Sequence, residues 1–180
     1  MANFDDQVMG LTGLTISGSS TAPSQAELST FLNDGVIDVT SKWLVGHFAD
    51  IDQFTRDSGA QTSDGLDISG AAIISVVRED GVTDNTWRSC RKISPGQQSQ
   101  VVDKDSLSFS SAYNPTYMVD ENGKINVFPV AASSGSNSYK VYYVNNAPAE
   151  ADGTALIHSS SGIKYFPNDK VHLVVLYASV

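Results

Sequence analysis

Cysteine is nearly absent. Cys90 is the only one in the chain, so no intrachain disulfide can form. A secreted fold stapled by disulfides is excluded, and a reducing site of synthesis fits. Basic residues are scarce as well. There are 11 Lys and Arg against 20 Asp and Glu, for a net charge of −9. A surface of that sign repels phosphate backbones, which argues against general nucleic-acid binding. The densest basic stretch, Arg88, Arg91 and Lys92, reads as a solvated strand face rather than a binding patch. Long hydrophobic runs are missing too. The longest, Leu173-Val174-Val175-Leu176-Tyr177-Ala178, falls far short of the about 20 residues that span a bilayer, so no membrane association is expected. Met1-Ala2-Asn3-Phe4-Asp5-Asp6 lacks the basic-then-apolar order of a signal peptide. No internal repeat is visible.

Charged residues make up only 17% of the 180, below the roughly 25% of ordinary globular chains. Ser, Thr, Asn and Gly take their place, which favours strands, turns and polar contact surfaces over charged solvent-facing helices. Hydrophobic residues are 41%. A domain of this size buries about 70% of its unfolded surface, enough for one well-packed core or two small ones.

Residues 1–20 end in the soft run Thr15-Ile16-Ser17-Gly18-Ser19-Ser20 and read as an arm. Their apolar members Phe4, Val8, Met9, Leu11, Leu14 and Ile16 are too many for a solvated tail, so docking on a neighbouring surface is expected. The remainder, 21–180, is expected to form a single domain. Ser24-Gln25-Ala26-Glu27 has the form of a capping box. Leu28, Phe31, Leu32, Val36, Val39 and Trp43 then recur at three- and four-residue steps, predicting an amphipathic helix over about 25–46. Gly35 is its weak point and a place for close approach. Asp38 and Lys42 form an outer i,i+4 pair.

Residues 50–69, rich in Asp and Gly, predict an irregular excursion with a short helical turn near Asp52–Arg56. Residues 72–77 predict a strand, turned at Glu79-Asp80-Gly81, with 86–93 as its antiparallel partner. Alternation along 86–93 is imperfect, leaving its inward face open. Thr116 to Phe128 is the strongest hairpin, turned at Asn122-Gly123. Pro129 belongs at the strand's end or at an edge. Tyr139–Val144 is expected as a third strand of the same sheet. Asn168 or Asp169 is a good N-cap for a C-terminal helix from about 169, with a terminal strand as the other reading of that β-branched run.

Chemistry is sparse. His47, His158 and His172 are scattered, with no zinc spacing. Arg88 and Arg91 flank Cys90 and would lower its pKa, but no base is proposed beside it. Asp50-Ile51-Asp52 and Asp64-Gly65-Leu66-Asp67 lack the calcium-loop arrangement and read as acidic solvated loops. Ser17-Gly18-Ser19-Ser20 and Ser133-Ser134-Gly135-Ser136 lack both the nucleophile elbow and the P-loop lysine. Tyr139, Tyr142 and Tyr143 suit a strand that is half core and half exposed face, or an interface core. No catalytic, cofactor-binding or metal residue is assigned. The chain is expected not to be an enzyme and to need no cofactor.

The order of motifs carries a resemblance. It runs from Phe31-Leu32-Asn33-Asp34-Gly35 in a capped helix to strands around Cys90-Arg91-Lys92, then Asp105-Ser106-Leu107 and Tyr113-Asn114-Pro115. Gly123-Lys124-Ile125-Asn126-Val127-Phe128-Pro129, Lys140-Val141-Tyr142-Tyr143-Val144 and Phe166-Pro167-Asn168-Asp169 follow. Over roughly residues 25–180 this resembles a group of tailed-bacteriophage virion structural proteins of neck or connector type. In proteins it resembles, the last apolar run usually opens a longer helical region. The resemblance implies a role in an assembled virion, at the head–tail neck, and no catalytic residues.

The expected fold is α+β: an N-terminal arm, one amphipathic helix, a mainly antiparallel β region and an apolar C-terminal helix. The expected function is assembly by protein–protein contact. Expected partners are other copies in a ring or shell and the portal, tail or capsid proteins, with the virion as location. A capsid decoration or tail-associated protein, or a carbohydrate-binding module resting on the tyrosines, are the alternatives. The expected interface is Phe4, Val8, Met9, Leu11 and Leu14 from the arm, with Leu173, Val174, Leu176 and Tyr177 from the C-terminal run.

Overall fold

A computed structural model describes residues 2–19, 23–82 and 86–180. The fold is α+β, and the chain forms two compact units, residues 1–55 with 146–180, and residues 56–145. Residues 1–20, expected as an arm, belong with residues 146–180 to the first of these units.

The first unit is helical. Helix α1 is Phe4–Thr12, α2 is Gln25–Gly46 and α4 is Val171–Tyr177, the last entered through a 3₁₀ turn at Asn168–Lys170. The arm expected at 1–20 thus contains a helix. Asn3 offers it no side-chain cap. Its first donors are met from far along the chain instead: Phe4 N–H donates to Ser160 O and Asp5 N–H to His158 O, both at 3.0 Å. Gly13, with φ 71°, closes the helix through its N–H to Met9 O. α2 begins as its sequence predicts. Glu27 N–H donates to Ser24 Oγ at 3.3 Å and Ser24 N–H to Glu27 Oε2 at 2.8 Å. Those bonds hold the Glu27 carboxyl below its ordinary value. Leu28, Leu32, Val36 and Val39 are buried, whereas Phe31 is exposed. Segment 156–160 lies along α2: Asn33 Nδ2 donates to Leu156 O at 3.1 Å and His158 N–H to Ser29 Oγ at 3.0 Å. Neither Asn168 nor Asp169 caps α4 with its side chain, since the 3₁₀ turn takes the place of a cap.

The second unit is two four-stranded sheets. The first has the order β1 (Arg56–Asp57), β8 (Tyr139–Val144), β3 (Ala72–Glu79), β4 (Trp87–Ser89), all antiparallel. The second runs β2 (Leu66–Asp67), β7 (Lys124–Phe128), β6 (Thr116–Val119), β5 (Arg91–Lys92), antiparallel except for the parallel β5–β6 pair. Val76, Tyr139 and Val141 from one sheet and Tyr117, Ile125 and Val127 from the other meet in one core. On the outer face of the second sheet, Met118 and Phe128 pack with Ile93 and with Val101 of the short helix α3 (Gln98–Val102).

Three strand expectations change. The strand at 139–144 does not join the hairpin's sheet. It pairs with β3, Tyr139 opposite Arg78, because the segment after Phe128 crosses to the other side of the core. The run 86–93 is not one strand. It leaves the first sheet at Cys90, whose N–H donates to Val76 O at 2.8 Å, and enters the second as β5. That switch is why its alternation fails, since sandwich corners are made by strands that change sheets. The excursion at 50–69 holds a 3₁₀ turn at Phe48–Phe54 and two short edge strands, β1 and β2.

The hairpin forms as expected, but its turn differs. Only Gly123, at φ 76°, has positive φ. Asp120 carries the turn: its Oδ1 accepts from Asn122 N–H and Lys124 N–H, both at 2.9 Å. This matches a three-residue loop with Gly in the left-handed position. The same device recurs. Asp57, Asp67, Asp80, Asp103 and Asp152 each accept from the backbone N–H two residues on. Much of the chain's acidity is therefore turn chemistry.

Candidate interaction surface

α4 is laid against α2 at Gly35. A Cβ on Gly35 would come within 3.1 Å of Tyr177 Cδ1 and 3.3 Å of Val174 Cγ1. The missing side chain lets α4 sit this close. On its other flank α4 meets α1. Val174 and Val175 fill the seams, and Phe4 and Val8 are buried beneath α1.

Each seam opens as a groove on the surface, and Leu176 lines both. The α2–α4 groove, ≈ 370 Å³, is lined by Val39, Trp43, Leu173, Leu176, Tyr177 and Val180, with Asp38 and Lys42 as its polar members. Those two are paired at 2.6 Å. Trp43 stacks on His47 with ring centroids 4.5 Å apart, and Lys170 Nζ lies 5.1 Å from the Trp43 ring. The α1–α4 groove, ≈ 410 Å³, is lined by Asp6, Gln7, Gly10, Leu11, His172, Val175 and Leu176. A Cβ built on Gly10 would meet nothing within 4 Å, so the groove is open there.

The expected interface residues divide in two. Phe4, Val8 and Val174 lie inside the unit and are not surface. Met9 and Leu173 are half-buried. Leu11 (59%), Leu14 (49%), Leu176 (49%) and Tyr177 (45%) are exposed. A run that reads as apolar nearly all round is thus a helix with one face in the seams and one in solvent. Phe31, Ile37, Val45 and Val180 add further exposed apolar surface in the same unit. In the sheet unit Leu107, which the sequence marks only within the motif Asp105-Ser106-Leu107, is fully exposed.

The chemistry-bearing residues hold structural positions. His158 Nδ1 is 3.3 Å from Asp5 Oδ2, and His172 Nδ1 lies 2.8 Å from Asp169 O. Cys90 is buried, and burial pushes its thiol up to about 12, against a smaller opposing effect of the Arg78 charge. The flanking arginines do not activate it, and it stays protonated at neutral pH. Asp64 is half-buried, within 3.4 Å of Val127 N–H and 3.5 Å of Ala131 N–H. Burial raises its carboxyl above the ordinary value, with those N–H groups and Arg78 pulling the other way. Among the described residues no three His, Cys, Asp or Glu are grouped to hold a metal ion, and no helix is long and apolar enough to cross a membrane. Tyr139 is fully buried with its hydroxyl on Ser63 O at 3.3 Å, so only Tyr142 and Tyr143 are partly open. No protein-family model and no curated protein matches the chain.

Proposed function

We propose that this chain is a structural subunit that works by protein–protein contact, and that the assembly is a tailed-phage virion, at or near the head–tail neck. The observation that carries the contact role is the apolar surface around α4. Two grooves share Leu176, one also lined by Leu11 and the other by Tyr177 and Val180. Contiguous apolar surface of this kind is uncommon on monomers and marks partner sites. Aromatic residues such as Tyr177 and Trp43 are enriched in interface cores. The virion assignment rests on the resemblance of residues 25–180 to neck-type virion proteins.

Density-gradient purification of particles from an infected culture tests the assignment, with an antibody raised against this chain. The chain should band with intact particles at a fixed copy number and survive high-salt washing. Its recovery only in the soluble fraction would overturn the virion assignment. A Leu176→Asp chain that folds but is left out of particles would tie incorporation to the α4 surface.

A further inference from the structure

We infer that the α1–α4 groove is the seat of an arginine side chain presented by a different protein, a reading that rests on the contact role proposed above and names the chemistry of the partner.

The open hydrogen-bonding capacity of the groove selects the occupant. Three polar side chains line it, Asp6, Gln7 and His172. Asp6 is exposed, and among the described residues its carboxylate has no hydrogen bond or ion pair. Gln7 Nε2 donates to Ala2 O at 2.7 Å, and the amide oxygen Oε1 stays open as an acceptor. His172 Nδ1 lies 2.8 Å from Asp169 O. A carbonyl only accepts, so Nδ1 carries the proton, and in the neutral ring Nε2 is left as an acceptor. The remaining walls are apolar, Leu11, Val175 and Leu176, with open space at Gly10. Apolar walls under a rim of acceptors suit a group with an apolar stem and a cationic head rich in N–H. The α2–α4 groove lacks this chemistry, because its polar members Asp38 and Lys42 satisfy each other at 2.6 Å.

Arginine fits that description better than lysine. Its planar fork carries five donors, enough to serve acceptors on both helices, and it is less strongly hydrated than an ammonium. Its methylene stem can cover Leu11 and Leu176. Interfaces are enriched in arginine and depleted in lysine. The wider field has the same sign. The helical unit has 10 carboxylates against 3 lysines and no arginine, net −7, which draws basic partners and repels acidic ones.

This chain is a poor source of the arginine. It has four. Arg78 is fully buried on its own acceptors, Arg56 Nη2 donates to Asn145 O at 3.0 Å, and Arg88 lies 4.7 Å from the Tyr113 ring centroid. Among the described residues Arg91 is the one exposed arginine. It belongs to a unit with 10 carboxylates against 8 Lys and Arg, net −2, so a second copy is the poorer electrostatic match to a net −7 surface.

Amide NMR of the whole isotope-labelled chain tests this with three synthetic peptides: acetyl-Leu-Arg-Leu-amide, the same peptide with citrulline in place of arginine, and the same with glutamate. The titrations are run at about pH 8, above the range in which an imidazole takes up a proton. The arginine peptide should shift the amides of Asp6, Gln7, Gly10 and Leu11 on α1 and of His172 and Leu176 on α4. Its Kd should lie at least about tenfold below that of the glutamate peptide, or about 1.4 kcal/mol. The citrulline peptide, which keeps the shape without the charge, should fall between them. Asp6→Asn should erase the preference for arginine over citrulline. Gly10→Leu places a side chain where nothing else stands and raises helix propensity, so it should keep the fold and abolish the shifts from every peptide.

Equal binding of the arginine and citrulline peptides by wild type overturns the inference. So does a preference that survives Asp6→Asn, or an arginine peptide that leaves α1 and α4 unshifted at about millimolar concentration. Self-association of wild type that Arg91→Gln abolishes would place the arginine in a second copy and overturn its assignment to another protein. If Leu176→Asp is shut out of particles while wild type binds none of the peptides, the contact role stands and the arginine falls. If wild type binds the arginine peptide as described but never bands with particles, the arginine site stands and the virion assignment falls.

Discussion

The sheet unit, residues 56–145, and the helical unit, 1–55 with 146–180, differ in where their ordering groups come from. In the sheet unit a single contiguous stretch supplies nearly everything. Its turns are set by neighbouring aspartates, and its core is closed around Arg78. That side chain is fully buried, with Nε donating to Pro129 O at 2.8 Å, Nη1 to Glu79 O at 2.6 Å and Nη2 to Asn137 Oδ1 at 2.9 Å. In the helical unit the two ends of the chain supply each other. α1 has no side-chain N-cap of its own, and α4 is seven residues long, below the length at which a lone helix is stable. Local signals can order the sheet unit; the helical unit needs both termini present at once.

The largest break in that comparison is Arg78→Met. It leaves the buried Glu79 O and the partly buried Pro129 O and Asn137 Oδ1 without their donor, at about 1–3 kcal/mol for the buried acceptor and less for the others, so unfolding of the sheet unit should become easier by about 4 kcal/mol. Each unit has one tryptophan, Trp43 and Trp87. Fluorescence of chains carrying only one of them separates the two transitions. The Trp87 transition should move to lower urea, by more than that of Trp43. The reverse order would show that the sheet unit does not depend on its buried arginine.

Phe4→Ala is the matching break in the other unit. Phe4 is fully buried, and Phe→Ala in a core costs about 3–5 kcal/mol. Amide exchange should rise along α1 and also at segment 156–160, whose His158 and Ser160 carbonyls receive the first donors of α1. Exchange confined to residues 4–12 would mean that the two ends do not support each other.

The same difference explains what could be read from the residues. The Ser24–Glu27 box and the stripe at Leu28, Leu32, Val36 and Val39 are local, and they locate α2 over 25–46. The Asn122-Gly123 hairpin is local too. α1 was hidden because its N-terminal donors are satisfied by residues 158 and 160, which no window around Phe4 contains. The partner of β8 was hidden because Tyr139, Val141 and Tyr143 alternate equally well in either sheet; only the crossing after Phe128 decides. The candidate interaction surface was legible as composition and not as geometry. Leu11, Leu14, Leu176 and Tyr177 were marked as apolar, but nothing in their spacing told them apart from Phe4, Val8 and Val174, which the fold buries.

Gly123→Val sharpens the claim that the sheet unit is ordered locally. The residue sits at φ 76°, which a β-branched side chain resists. A Cβ there would also lie 2.8 Å from Ser69 Cβ and 2.9 Å from Ser69 Cα, so β-carbon and backbone collide. The expected loss is about 2–3 kcal/mol in the Trp87 transition. Ser134→Val, on an exposed loop, is the control and should be nearly neutral. Equal midpoints for the two would mean that the hairpin register is set elsewhere.

The smallest effect concerns Asp64, a half-buried carboxylate of the sheet unit whose pKa is raised. Burial is the leading cause. The N–H groups of Val127 and Ala131 and the charge of Arg78 oppose it without cancelling it. Because the folded value lies above the unfolded one, the folded state binds the proton more tightly. The resulting stabilisation is complete below the ordinary carboxylate range near 4 and is lost as pH rises through the raised folded value. The wild-type Trp87 transition should therefore include a decline in stability over that interval. Asp64→Asn keeps a neutral side chain of the same shape and removes the titration, so its profile should lack that step. The two chains should be closest in stability in acid, where Asp64 is protonated, and differ most at neutral pH, in favour of Asp64→Asn. The helical unit, read through Trp43, should show no change in pH dependence from this substitution. Parallel profiles for wild type and Asp64→Asn through Trp87 would show that the Asp64 carboxyl titrates as an ordinary surface group, and that Arg78 alone carries the polar centre of the sheet unit.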